Sequence, residues 1–328
     1  MAVKNILESV RAALFEEMRR DPRVMILGED VGRHGGVFNA TQGLLDEFGE
    51  DRVVDTPLAE SSIVGIAIGA AVGGLLPIAE IQFADFIHSA VDQIINEAAK
   101  LRYRSNNDFG CPIVIRVPYG GGITGGLYHS QSVEALFFST PGLKIVAPTT
   151  PADVKGLLRA AIADPDPVIF LEHKASYRTI KGEYPEGDYF IPIGGADVKR
   201  TGTDVTVVSY GMTMHYAWEA ADALAQEEGI EVELIDLRTL LPLDRNTIIE
   251  SVKKTGKLLI VHEDNLTGGV GAEVAATVAE HALMYLDAPI RRIAAPDIPA
   301  TPYHPALERA MLPSKEQVKE AIRELARY

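Results

Sequence analysis

Short β-branched runs alternate with helix-patterned stretches along most of the chain, and that alternation leaves few folds open. Residues 24–27, 78–81, 113–117, 144–147 and 168–171 read as strands. Helical patterns lie between them at 60–75, near 87–103 and from Pro151 onward. Strands separated by helices must run the same way, which gives a parallel sheet with helices on its faces. Pro151 suits a first helical turn, where its missing donor would be unpaired anyway.

The pattern lapses between His173 and Thr203, a polar stretch holding Pro185, Gly187, Pro192, Gly194 and Gly195, and then restarts. Strands are expected at 204–209, 232–235, 258–261 and 290–293. Helices are expected near 214–226, 245–254 and 271–285, with a charged closing helix at 314–327. A chain of 328 residues is long enough for two cores. The expected arrangement is two α/β domains, 1–190 and 191–328, with the connection beginning near 173.

Composition removes several classes of function. A formal charge of −15 argues against nucleic acid as the main partner, because phosphate backbones need a basic face. The single cysteine, Cys111, excludes an internal disulfide framework, reads as packing, and points to a reducing, cytoplasmic setting. Residues 4–20 carry Ile6, Leu7, Val10, Leu14 and Met18 at helical spacing with charges between, an amphipathic helix and not a signal segment. The longest apolar run, 63–77, falls short of the roughly 20 residues that span a bilayer and is broken by glycines, so no membrane span is expected.

Candidate chemistry begins with Thr56-Pro57-Leu58-Ala59-Glu60, which delivers one carboxylate to the mouth of the apolar helix 63–72. Such an acid is either an ordinary helix-start residue or a group kept for chemistry. Gly65, Gly69 and Gly73 are spaced by four, unlike the G-x-G-x-x-G that turns under a pyrophosphate, and should clear a helix face for close approach. The glycine-rich stretch 119–126 follows a strand without a subsequent G-K-[ST], so it is no Walker-type phosphate loop. His129-Ser130-Gln131-Ser132 comes next, a loop position open to general acid/base work. The absence of G-x-S-x-G disfavours Ser130 as a hydrolase nucleophile. No two histidines have a metal-ligand spacing. His262-Glu263-Asp264 ends a strand before a second glycine cluster and reads equally as a ligand site or a solvated loop.

Taken in order, residues 27–31 (Leu-Gly-Glu-Asp-Val), 55–60, 80–86, 101–105, 129–131 and 235–239 resemble the β subunit of the thiamine-diphosphate-dependent decarboxylase component of 2-oxo acid dehydrogenase complexes. The likeness implies a transketolase-like pyrimidine-binding domain followed by a transketolase C-terminal domain. It implies that Glu60 hydrogen-bonds the cofactor's aminopyrimidine ring and promotes its imino tautomer, that Phe86 stacks on that ring, and that Leu58 also contacts it. His129 matches the histidine assisting acyl transfer to a lipoyl group, and Glu29 an acid in a proton path between the two active sites of an α2β2 assembly. A monovalent-cation site for K+, built from main-chain carbonyls, would fall at Ile113, Ala161, Ile162, Asp164 and Asp166.

No G-D-G segment for a diphosphate-bound Mg2+ occurs in the chain. The resemblance therefore implies that an α subunit supplies those ligands, that the cofactor is shared across the interface, and that the small-residue helix 63–73 is an interface element. A lipoyl acyltransferase core would be the further partner, docking at the C-terminal domain. The substrate is left between a branched-chain 2-oxo acid, pyruvate and an acetoin-type compound; segments 80–86, 102–105 and 128–131 resemble the branched-chain members more than animal pyruvate members. A split transketolase subunit and a non-catalytic scaffold are the competing readings.

Overall fold

The structure is a computed structural model that describes residues 2–328. The chain divides into two compact units, Met1–Tyr119 with Ser139–Ile193, and Gly120–Phe138 with Gly194–Tyr328. The glycine-rich stretch and His129 thus fold with the later half of the chain.

In the first unit, β1 (Ala2–Asn5) pairs antiparallel with β8 (Lys181–Tyr184). The main sheet contains β2 (Val24–Gly28), β3 (Val53–Asp55), β4 (Leu76–Glu80), β5 (Val114–Tyr119), β6 (Lys144–Val146) and β7 (Val168–His173). Their order is β3-β2-β4-β5-β7-β6, every neighbouring pair parallel, as the alternating sequence predicts. Helix Ile6–Arg20 starts because Asn5 and Glu8 form a reciprocal capping box, at 2.8 and 2.9 Å. Its apolar stripe, Ile6, Leu7, Val10, Leu14 and Met18, is buried in one core with Ile26, Ile78 and Phe170 of the sheet. Fully burying each such side chain stabilises by roughly 1.5–3 kcal/mol.

The second unit holds β9 (Asp197–Arg200), β10 (Val205–Ser209), β11 (Val232–Asp236), β12 (Thr239–Leu241), β13 (Leu258–Asn265) and β14 (Arg291–Ala295). Its five-stranded sheet runs β14-β13-β10-β11-β9, parallel except for β9. Helices Gly211–Glu228 and Lys315–Arg327 pack on it, the latter through Val318, Ala321, Ile322 and Leu325.

Three segments depart from the sequence reading. Helix Glu60–Val72 stops short of Leu75 because Gly74 takes φ +95, a conformation that suits glycine. The single helix expected over 87–103 is three pieces: a tight 3₁₀ segment Ala84–Ala90, a loosely wound π segment Gln93–Ala98 and a short turn Leu101–Arg104. Apolar spacing over such short spans does not distinguish these windings. The stretch 173–203 holds a short helix, Ser176–Thr179, and β8 and β9.

Candidate functional site

In the first sheet the chain goes from β2 to β3 on one side and then returns to β4 on the other, so the strand order reverses at the β2–β4 pair. Open parallel sheets bind ligands outside the carboxyl ends of their strands at such a reversal. The register aligns Gly28 with both Asp55 and Glu80 in one row. The residues that follow this row are Glu29, the 56–60 turn and the 81–86 turn, so the topology gathers Glu29, Leu58, Glu60 and Phe86 at one sheet edge.

Glu60 is the first residue of its helix and is half-buried. Ala59 offers no side-chain cap, leaving first-turn N–H groups to favour a negative group there. Ser89 Oγ donates to Glu60 Oε2 at 3.0 Å. The Glu29 carboxyl is held above its ordinary range, first by burial, then by the negative charges of Asp30 and Glu60. Asp55 shapes the loop beyond Glu29 by accepting from Gly32 N at 2.6 Å and Arg33 N at 3.2 Å. Phe86 keeps a half-buried ring, edge-to-face with Phe83 at 5.9 Å and 82°. Leu58 is 67% exposed. An accessible carboxyl flanked by an aromatic ring and an uncovered leucine fits a nitrogen-bearing aromatic ring such as the aminopyrimidine.

Beneath this edge lies a charge cluster that the sequence reading missed. Arg116, fully buried, donates to Glu172 through Nε at 2.6 Å and Nη2 at 2.8 Å, and to Glu80 through Nη1 at 2.5 Å. Tyr177 Oη donates to Glu172 Oε2 at 2.6 Å. Burial raises the Glu80 carboxyl above its usual range. The cluster locks β4, β5 and β7 together where the 81–86 turn departs. Its signal was the charge set inside the apolar strand Val114–Tyr119.

The cation candidates sit around the turn before β7. Ile113 O accepts from Val168 N at 3.0 Å, and Ala161 O accepts from Asp164 N at 3.3 Å. The Asp164 carboxylate is taken by Lys144 at 2.6 Å and by Asp166 N at 3.0 Å, and Asp166 by Arg102 at 2.5 Å. The two acid side chains are thus paired with Lys144 and Arg102, and Ile113 O and Ala161 O already accept backbone N–H groups. Ile162 lies on the same helix, Pro151–Ala163. Burial pushes the Cys111 thiol up to about 12, which suits packing and not nucleophilic chemistry.

Helix Glu60–Val72 meets its sequence expectation at one glycine. A Cβ at Gly65 would lie 3.2 Å from Gln93 Oε1, whereas one at Gly69 would meet nothing within 4 Å in this chain. With Ile66 56% and Val72 43% exposed, an apolar, small-residue face is left uncovered.

His129 belongs to the second unit, where the strand order reverses between β10 and β13. There the reversal is occupied by the chain's own 120–138 segment. Gly121 N donates to Glu263 Oε1 at 2.5 Å, Ala135 N to Asp264 Oδ2 at 2.9 Å, and Tyr210 Oη to Glu134 Oε1 at 2.8 Å. His262, Glu263 and Asp264 are all buried, so this strand end is not a solvated loop. Burial pushes His262 down to about 4, hence neutral. It stacks on Tyr210 at 6.3 Å and crowds Gly269 and Gly271, where added Cβ atoms would come within 2.6 and 2.7 Å of its ring. Burial likewise raises Glu134 and Asp264 above the ordinary carboxylate range. His129 itself is half-buried, after the turn Gly126–Tyr128. Ser130 is buried and accepts from Gly125 N at 3.1 Å, a turn-holding role.

Residues 4–179 match the transketolase pyrimidine-binding domain, and residues 194–318 match the transketolase C-terminal domain. A solved chain described as a split gene transketolase, inactive beta4 tetramer, shares the fold at TM-score 0.78 and 24% identity, with 98% of each chain covered. The class is therefore transketolase-like. Among curated proteins, the 2-oxoisovalerate dehydrogenase subunit beta of Bacillus subtilis (strain 168) is 59% identical over 328 residues, 100% of both chains. The pyruvate dehydrogenase E1 component subunit beta of the same strain is 45% identical over 328 residues, again 100% of both. The mitochondrial 2-oxoisovalerate dehydrogenase subunit beta 2 of Arabidopsis thaliana is 48% identical over 99% of this chain and 89% of that one. The chain belongs to the family of β subunits of the thiamine-diphosphate-dependent decarboxylase component of 2-oxo acid dehydrogenase complexes. Among the described residues, no helix is long and apolar enough to cross a membrane.

Proposed function

We propose that this chain is the β subunit of a branched-chain 2-oxo acid dehydrogenase, acting in the cytoplasm, with the boundary between its two domains near residue 190 and the 120–138 segment folding with the second. The observation that carries the substrate choice is the 59% identity to the 2-oxoisovalerate dehydrogenase subunit against 45% to the pyruvate subunit of the same organism, both over the full length.

When bound, thiamine diphosphate supplies the electron sink that decarboxylation needs. Glu60 would hold and return a proton at a pyrimidine nitrogen of the cofactor, with Ser89 steadying its carboxyl. Phe86 and Leu58 would flank the cofactor's ring, and Glu29, whose raised proton affinity suits exchange, would belong to the proton path. His129 assists transfer of the acyl group to the lipoyl group. The diphosphate and its Mg2+ are held by an α subunit, since the G-D-G segment is missing here. The uncovered face at Ile66, Gly69 and Val72 is offered to that subunit. The main-chain carbonyls of Ile113, Ala161, Ile162, Asp164 and Asp166 would hold a K+ ion near the turn before β7. The lipoyl acyltransferase core docks on the C-terminal domain.

Steady-state rates with 2-oxoisovalerate, pyruvate and acetoin, measured with the co-expressed α subunit, test the assignment. A preference for pyruvate above about tenfold would remove the branched-chain reading. Glu60→Gln separates catalysis from scaffolding: the catalytic role predicts a loss of orders of magnitude with assembly intact, and a scaffold would tolerate it. The structural likeness to a split transketolase is a likeness of fold.

A further inference from the structure

The glycine-rich segment before His129 has left-handed backbone at every second residue: Gly120 at φ +86, Gly122 at +80, Thr124 at +57 and Gly126 at +65. The N–H groups of two of these residues, Gly122 and Thr124, meet at one carboxylate, an anion-binding concavity of main-chain donors. The anion in it is a side chain of the same unit. Glu308, 3% exposed on helix Pro305–Met311, accepts from Gly122 N at 2.9 Å and from Thr124 N at 3.1 Å and 3.2 Å through its two oxygens. A buried carboxylate needs such compensation, and charge-assisted N–H bonds are the strong kind. Thr124, which lacks glycine's freedom, is held in its unfavourable conformation by them.

The same C-terminal segment grips the loop on both sides of His129. Thr301 Oγ1 donates to Ser130 O at 3.1 Å. The Tyr303 ring lies so close to Gly126 that an added Cβ would come within 2.2 Å of it. We propose that Glu308 is a positioning residue for His129: its carboxylate, seated on Gly122 N and Thr124 N, fixes the loop that presents the imidazole. The proposal rests on the acyl-transfer role assigned to His129 above. A misplacement of about 1 Å in a reacting group can cost on the order of 100-fold in rate.

The test uses the assembled α2β2 enzyme carrying Glu308→Ala, Glu308→Gln, His129→Ala or the Glu308→Ala/His129→Ala pair. Each is assayed for 2-oxo-acid-dependent reduction of an artificial acceptor and for acylation of a lipoyl domain. Glu308→Ala and His129→Ala should each lower lipoyl acylation by about 10- to 100-fold, and the pair should match His129→Ala within about twofold, because the two act as a unit. Acceptor reduction by the Glu308→Ala and Glu308→Gln enzymes should stay within about threefold of the unaltered enzyme. Multiplicative losses in the pair, or equal losses in both assays, would overturn the proposal. Normal acylation by Glu308→Ala beside impaired His129→Ala would overturn it alone, and normal acylation by His129→Ala would overturn the role of His129 and the proposal with it. Should Glu308→Ala fail to assemble, Glu308→Gln, which keeps one acceptor oxygen, decides: a loss of about 3- to 10-fold confined to lipoyl acylation supports the proposal, and unaltered acylation refutes it.

Discussion

Ser89 Oγ donates a 3.0 Å hydrogen bond to Glu60 Oε2, joining the first residue of the apolar helix to the 3₁₀ segment that also carries Phe86. The tight winding matters for this contact, since the same hydroxyl also reaches Phe86 O at 3.2 Å. The carboxyl and the aromatic ring are thereby placed by one short element, and its departure from ordinary helix is part of the site.

Removing that hydroxyl should cost catalysis without costing the fold. One hydrogen bond to a carboxylate is worth about 1.5–3 kcal/mol at most when buried, and this pair is partly exposed. Ser89→Ala is therefore expected to lower kcat by about 3- to 10-fold with KM little changed, read from steady-state rates of the assembled enzyme. An unchanged kcat would show that Ser89 does not orient Glu60.

The buried Arg116 cluster should behave as a structural lock. Arg116→Met leaves Glu80 and Glu172 together without their cation, and breaking such a pair costs about 3–5 kcal/mol. The unfolding midpoint of the purified protein should fall sharply. A midpoint within a degree or so of the unaltered protein would mean that the two acids relax into neutral, hydrogen-bonded forms at little expense.

Glu134 should make stability depend on pH. Its folded pKa is raised to about 8, above the unfolded carboxyl, by burial and by Asp264 and Glu263 beside it, while Tyr210 donates to it. The folded form then binds more protons than the unfolded one, so the contribution of this group is full below the unfolded pKa and is lost as pH rises toward about 8. Glu134→Gln carries no such titration. The stability advantage of the unaltered enzyme over this variant should shrink from pH 5 to pH 9, with a limiting slope of about 1.4 kcal/mol per pH unit. Thermal midpoints of both proteins across that range check this, and parallel curves would contradict it.

The sequence made the two parallel sheets readable because buried parallel strands are continuous apolar runs, as in Ile113-Val114-Ile115 and Leu258-Leu259-Ile260. It also put Glu60 at the mouth of the apolar helix, where the structure has it as the first helical residue. Glu308 and Glu172 were illegible for a physical reason. Each reads locally as an ordinary charge, in a C-terminal stretch given no element or at a strand end, and becomes a buried anchor only through partners 186 and 56 residues away. The winding of the 84–104 segment was hidden for a similar reason, since apolar spacing constrains which face is buried and not how tightly the backbone is wound.

On the function proposed above, this chain carries one half of a shared catalytic site. The most direct measurement is 2-oxo-acid-dependent reduction of an artificial electron acceptor, with thiamine diphosphate and Mg2+, by the purified chain alone and by the chain co-expressed with its α subunit. Turnover of 2-oxoisovalerate is expected from the pair and none from the chain alone. Turnover by the isolated chain at the rate of the pair would contradict the shared site.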